Sequence, residues 1–314
     1  MAMAEIGQEK RAPTLGRSKG RPQLGRWALI VALWSGLAPL PSLAGEGIAT
    51  GAAEEGEIPP GAVGPALPSP MARPPVTLPR VAVDVGHSLK DSGAVSARGR
   101  SEFSFNLDLA RQLASALEAK HLAVTRINFD GKIPSLAARP EAAVGADYFI
   151  SLHHDSLDPS FLHPWEWEGR PETYNDEPRF RGFALFISHR NPDVAQSLAC
   201  ASAIGARLRR LGFARATHHS ATALGTPRPW ADEANGVRFY DTLLVTSHTT
   251  VPAVLLEAGM LKNREEELAL ADPANQARMA DGIATGLAAC MMELRADKGE
   301  GPVSGPFRPS VQDP

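Results

Sequence analysis

Cysteine is nearly absent: the 314 residues carry two, Cys200 and Cys290. That is too few for a disulfide scaffold, and the pair lacks zinc-finger spacing. Both sit in Ala-rich segments of helical pattern. An oxidising compartment would permit a bridge, but nothing in the spacing demands one, so buried free thiols are expected. An excess of one charge is missing too, with 32 Lys plus Arg against 35 Asp plus Glu. That balance excludes a chain whose main work is gripping nucleic acid through its phosphates. No apolar run approaches the ~20 residues of a membrane-spanning helix. There is no internal repeat and no sustained heptad, so a monomer is expected.

What is present divides the chain. Lys10, Arg11, Arg17, Lys19, Arg21 and Arg26 precede an apolar run from Trp27 to Ala38, followed by Pro39, Pro41 and the small residues Ser42 and Ala44. A basic region, a short apolar region and a small-residue cleavage point after Ala44 form a secretory signal pattern, so residues 1–44 are expected to direct export to the periplasm or cell wall. The other reading is an uncleaved arm tethered to the membrane. Residues 45–79, with Pro59-Pro60, Pro68, Pro70, Pro74-Pro75 and Pro79, lack apolar periodicity and are expected to be a disordered linker. A Gly- and Pro-rich tail, 297–314, is expected to be disordered as well.

Between them, residues 80–296 alternate strand and helix signals. Val81 to Val85 reads as a strand ending at Gly86. From Ser101 to Lys120, Phe103, Leu107, Ala110, Leu113, Ala114 and Leu117 recur at three- and four-residue intervals, which predicts an amphipathic helix. Further strands are expected over Leu122–Ile127, Tyr148–Leu152, Phe183–Ser188 and Ala253–Leu256, and helices over Val194–Leu211 and Gln276–Met292. The alternation predicts one α/β domain, a mixed or largely parallel sheet flanked by helices. Residues 157–181, with Trp165-Glu166-Trp167-Glu168, are too long for a simple connection and predict a functional loop or lid.

Three strands lead into groups that can bind metal or move protons: the first towards His87, the third into His153, the last into Glu257. Sites in α/β sheets form at the carboxyl ends of strands. Glu102 starts the amphipathic helix, where the helix dipole favours a carboxylate. Two imidazoles and a carboxylate would leave one open position on a tetrahedral Zn²⁺, as catalysis requires. Each residue also has a plainer role, as a hydrogen-bonded loop histidine or a helix-terminal carboxylate, and spacing alone does not decide.

Asp84-Val85-Gly86-His87, Glu102, Phe149-Ile150-Ser151-Leu152-His153 and the run Pro252-Ala253-Val254-Leu255-Leu256-Glu257-Ala258-Gly259-Met260-Leu261-Lys262-Asn263, together with Thr125-Arg126 and Arg139, resemble the zinc-dependent N-acetylmuramoyl-L-alanine amidases of the cell-division type. The resemblance covers about Val81 to Met292. It implies one Zn²⁺ held by His87, Glu102 and His153, with Glu257 as general base, and hydrolysis of the bond between N-acetylmuramic acid and L-alanine in peptidoglycan. By motif position it favours His153 over His154; strand geometry adds only that both together would not reach one metal, since neighbours on an extended segment point to opposite faces. Val85, Ser88-Leu89 and Phe103 depart from the family pattern and bear on substrate context, not on the ligands. Related amidases carry near 157–181 a helix that blocks the zinc until an activator protein displaces it. Here Glu166, Glu168, Glu172 or Glu177 would have to reach the metal, and a substrate-facing loop is the equal alternative. Trp165 and Trp167 are expected to pack the loop rather than stack on sugars.

Other residues are weighed beside these. Asp84 is expected either to hold a histidine ring or to satisfy loop amides. His248 is expected to be structural, and the His218-His219 pair to be exposed in a polar loop. Two rival functions are a silent peptidoglycan-binding regulator and a zinc carboxypeptidase. The latter needs a cation for a terminal carboxylate, with Arg139, Arg228 and Arg238 as candidates.

Overall fold

The chain is described by a computed structural model over residues 78–220 and 226–297. The export segment, nearly all of the linker and the tail lie outside the described residues. Strand β1 (Arg80–Val85) is followed by α1 (Glu102–Ala119), β2 (Ala123–Ile127), α2 (Ala138–Ala142) and β3 (Tyr148–Asp155). Then come β4 (His163–Trp167), β5 (Arg170–Tyr174), β6 (Ala184–Ile187), α3 (Val194–Arg210), β7 (Trp230–Asp232) and β8 (Val237–Phe239). The chain continues through α4 (Leu244–Ser247), β9 (Ala253–Met260), α5 (Arg264–Ala271) and α6 (Pro273–Asp297).

Seven strands form one mixed sheet in the order β2-β1-β3-β9-β6-β8-β7. The first four run parallel, β6 is antiparallel to β9, β8 is parallel to β6, and β7 is antiparallel to β8. Mixed sheet, flanking helices and single domain are as expected. The short strands β7 and β8 and helix α5 were not foreseen, because three-residue strands carry no readable alternation.

Side chains alternate across each strand, and the two faces are covered differently. Val81, Val83, Val85, Ile150, Leu152, Val254 and Leu256 pack against Leu109 and Leu113 of α1, Ile204 and Leu208 of α3, and Ile283 and Leu287 of α6. The opposite face, with Ala82, Phe149, Phe186, Ala253 and Leu255, holds a smaller cluster. Capping fixes where these helices begin. Asp193 accepts the Gln196 amide at 3.0 Å ahead of α3, and Asn263 accepts the Glu266 amide at 3.0 Å ahead of α5.

Cys200 of α3 and Cys290 of α6 form a disulfide, their Cα atoms 5.3 Å apart, which corrects the expectation of free thiols. Their spacing of 90 residues hid the pairing, because the contact exists only once the two helices pack side by side. A second correction concerns the long insert. Its central part is a two-stranded hairpin, β4 paired with β5, rather than a loop or a helix. Glu168 and Gly169 both have positive φ, 51° and 73°, the backbone of a tight two-residue hairpin turn. Trp165 donates Nε1–H to the Ala97 carbonyl at 2.9 Å, and Trp165 and Trp167 stack with centroids 5.5 Å apart. Both tryptophans thus anchor the hairpin to the loop that leads into α1.

Candidate metal centre

β3 and β9 are neighbours in register, His153 opposite Glu257, so these two side chains stand side by side on the smaller face of the sheet. Alternation sends His154 to the helical face. There it is buried, and its Nδ1 lies 2.7 Å from Asn106 Oδ1. Burial pushes His154 down to about 3, and it stays neutral. α1 begins at Glu102, which points its carboxylate back towards the strand ends. His87 Nε2 lies 3.0 Å from Glu102 Oε2, and His153 Nδ1 lies 3.1 Å from Glu102 Oε1.

These three residues bring one donor atom each within 4.8 Å of one another. The Glu102 carboxylate also accepts the Ala94 amide at 3.0 Å, and Asn106 donates to Oε1 at 3.3 Å. Burial alone would raise the Glu102 carboxyl, but hydrogen bonds from His153 and His87 outweigh it and hold the group well below the usual carboxylate range. It is therefore ionised throughout the physiological range.

The surrounding chain is shaped to this cluster. A Cβ on Gly86 would collide with the His153 ring, and one on Gly93, whose φ is +73°, would come within 2.5 Å of Glu102 Oε2 and His87 Cδ2. Only glycine lets the loop pass this close. His87 itself has φ 65°, a conformation that needs outside support. Asn128 Nδ2 donates to the His87 carbonyl at 2.6 Å, and Arg139 Nη2 donates to the same carbonyl. Asp84 holds neither a histidine ring nor loop amides: it pairs with Arg139 Nη1 at 2.7 Å and accepts from Ser151 Oγ at 2.7 Å. This buried pair acts on His87 indirectly, by fixing the arginine. Asn106, Asn128 and the role of Arg139 were missed in the sequence. Asn106 had a signal, since it sits one helical turn after Glu102 and so on the same face.

Glu257 is partly exposed, yet its Oε2 is buried with no hydrogen-bond partner. Burial raises its carboxyl well above the ordinary value, and the negative charges of Asp155 and Glu102 raise it further. A buried carboxylate beside two others lacks a cation among the described residues. The donor set, two imidazoles and a carboxylate facing an unpartnered carboxylate, fits Zn²⁺ with one position left for a reacting group.

The remaining expectations resolve as follows. His248 is exposed and bonded to Ser247 Oγ at 2.8 Å, and it is not part of the donor cluster. The expected exposure of His218 and His219 is wrong. His218 is buried, its Nε2 2.7 Å from Asp155 Oδ2, and His219 Nε2 is 2.9 Å from the same oxygen. Glu166 and Glu168 are exposed on the hairpin, Glu177 pairs with Arg179, and Glu172 Oε1 faces Gly99, so no carboxylate of the insert joins the cluster. Arg228 binds the Thr226 carbonyl and covers the Tyr240 ring. Arg238 is buried against Trp230 and bonded to Ser220 Oγ and the Arg228 carbonyl. With Arg139 paired to Asp84, each of the three candidate cations of the carboxypeptidase reading is engaged elsewhere.

Comparison with known proteins now has a geometry to meet. The protein-family model described as N-acetylmuramoyl-L-alanine amidase matches residues 81–289. The curated protein "Probable N-acetylmuramoyl-L-alanine amidase AmiB" of Haemophilus influenzae is 28% identical over 229 residues, 67% of this chain and 51% of its own length. The chain thus spans about half of that relative. The catalytic domain of CwlV, an N-acetylmuramoyl-L-alanine amidase of Bacillus (Paenibacillus) polymyxa var. colistinus, superposes with TM-score 0.51 and 27% identity, covering 68% of this chain and 98% of that one. Ami1 of Mycobacterium smegmatis, at 20% identity and TM-score 0.53, covers 68% and 96% and shares the fold. A family match over two thirds of the sequence, with every residue of the cluster and Glu257 inside it, leads to one conclusion: the chain belongs to the N-acetylmuramoyl-L-alanine amidase family of enzymes.

Proposed function

We propose that the chain hydrolyses the amide between N-acetylmuramic acid and L-alanine in peptidoglycan, with one Zn²⁺ held by His87, Glu102 and His153 and with Glu257 as general base. The observation that carries this reading is the unpartnered Oε2 of Glu257, on the strand neighbouring His153, beside a ready-made donor set. When bound, the ion supplies Lewis-acid chemistry, making a water acidic enough to attack near neutral pH and offsetting charge on the scissile carbonyl oxygen. Glu257 takes the proton of the attacking water through its buried carboxylate and returns it to the departing alanine nitrogen. Arg139 and Asn128 keep the His87 backbone in place. Glu102, ionised by its hydrogen bonds, orients both imidazoles and prevents their drift.

The wall role we assign is remodelling or separation of daughter cells, after export to the periplasm or cell wall. The basic-apolar-small pattern of residues 1–44 supports export, and so does the Cys200–Cys290 disulfide, a bond that persists in oxidising compartments. The hairpin of β4 and β5 lies against the loop carrying Gly93 and Gly99, so an activator protein acting on this enzyme would engage that hairpin and reshape the entrance. The deciding experiment incubates the full chain with peptidoglycan, with and without chelator, and analyses products by mass spectrometry. Stem peptides beginning with L-alanine, absent with chelator and with Glu257→Ala, are expected. Release of free C-terminal amino acids instead would establish a carboxypeptidase. Tight wall binding without any product would establish a binding module.

A further inference from the structure

We propose a second Zn²⁺ site, formed by Asp155, His218 and His219, beside the site assigned above. The three residues come from distant parts of the chain: Asp155 ends β3, and His218 and His219 open a short turn beyond α3. Their donor atoms lie within 4.8 Å of one another, the same span as in the first cluster. One oxygen, Asp155 Oδ2, faces both Nε2 atoms at 2.7 and 2.9 Å. In the first cluster the corresponding distances are 3.0 and 3.1 Å. Ligands on a tetrahedral zinc stand roughly 3.3 Å apart, given metal–ligand distances of about 2.0–2.2 Å. Both clusters therefore need to open only by side-chain adjustment to admit an ion.

Hydrogen bonding accounts for one imidazole but not the other. His218 Nε2 is bonded to Asp155. His219 Nε2 is 2.9 Å from the same oxygen but lacks hydrogen-bond geometry, so one carboxylate oxygen is left to serve both rings. The two rings lie 4.2 Å apart, centroid to centroid, a crowding of like groups that a shared cation relieves. Phe180 stands edge-on to His218 and Phe186 edge-on to His219, so the imidazoles are walled by apolar rings. A polar trio set in such a wall is costly unless each member is satisfied. The donor composition again matches Zn²⁺ and leaves an open position. Asp155 ends β3 two residues after His153, and its charge acts on Glu257, so the second ion would border the same cleft.

The site is expected to be of modest affinity. Metal-binding histidines normally donate their other ring N–H to a carboxylate or carbonyl, and loss of that bond costs roughly 10- to 100-fold in affinity. His218 Nδ1 is buried with no such partner.

The test titrates ZnCl₂ into the full chain stripped by chelator, with bound zinc counted after equilibrium dialysis and folding checked by circular dichroism. Two ions per chain are expected for the wild type and one each for Asp155→Asn, His219→Gln and His87→Ala, with none for the His87→Ala/His219→Gln double variant. One ion in the wild type that His87→Ala removes and His219→Gln leaves in place would overturn the second site while sparing the first. One ion that survives His87→Ala and disappears with His219→Gln would sustain the second site and overturn the zinc assignment under the proposed function. The wild-type count stands even if a variant fails to fold.

Discussion

The two faces of the sheet are built for opposite purposes. On the helical face Val83, Ile150, Leu152 and Leu256 meet α1, α3 and α6 in a continuous apolar core closed by the Cys200–Cys290 bridge. Towards their carboxyl ends the same strands, β3 and β9, carry His153, Asp155 and Glu257, with Oε2 of Glu257 left without a partner. The same two strands thus gain stability on one side and hold unfavourable charge on the other. Stability and function in this protein should therefore separate by face, and mutations can break that separation if it is wrong.

The largest effect is expected from Glu257→Ala. Loss of a general base costs about 10²- to 10⁴-fold in rate, and relieving a buried carboxylate flanked by Asp155 and Glu102 should leave the melting temperature unchanged or raised. Turnover on peptidoglycan and a thermal melt on the same sample check both halves. A marked fall in stability would mean that the charge is structural.

Next comes the bridge on the helical face. By the chain-entropy relation, a closed loop of 90 residues is worth about 4 to 5 kcal/mol. The Cys200→Ser/Cys290→Ser variant should lose most of this in urea unfolding while kcat stays within about twofold at a temperature where it is folded. Leu113→Ala, at a fully buried position of α1, should cost about 2 to 5 kcal/mol, again with kcat retained. If kcat falls in step with stability in either variant, the faces are coupled.

The smallest effect concerns the residue that crosses between them. His154 shares β3 with His153 but is buried on the helical side, its ring held neutral down to about 3. In the unfolded chain it takes a proton near 6.5. The unfolded state then binds more protons as pH falls, so stability is full above 6.5 and is lost towards 3. Between pH 7 and pH 5 the loss from this group is about 2 kcal/mol. Urea midpoints at the two values should show it in the wild type, and His154→Gln should remove that part of the slope.

Much of this arrangement was legible in the chain. The strand Val81–Val85, the helix beginning near Glu102 and the strand into Glu257 were readable because apolar residues repeat with the period of each element. Strand alternation already separated His153 from His154. The hairpin of residues 163–174 was not legible: Pro164 and Pro171 and the run of charge obscure any period of two, and its turn, Glu168-Gly169, has a non-glycine residue at positive φ. His218 and His219 looked exposed because their neighbours in sequence are polar. Their burial comes from Phe180 and Phe186, which lie dozens of residues away.

Local pattern determined the main strands and helices, the faces of His153 and His154 and the candidate groups His87, Glu102, His153 and Glu257, because periodicity and residue chemistry are written along the chain. Which of those groups meet was decided by the tertiary structure. Sheet order brings β3 beside β9, so His153 and Glu257 share an edge; helix packing joins Cys200 to Cys290; and a turn beyond α3 carries two histidines onto Asp155. Such contacts depend on packing between segments far apart in the chain, and spacing along one sequence carries no measure of that distance in space.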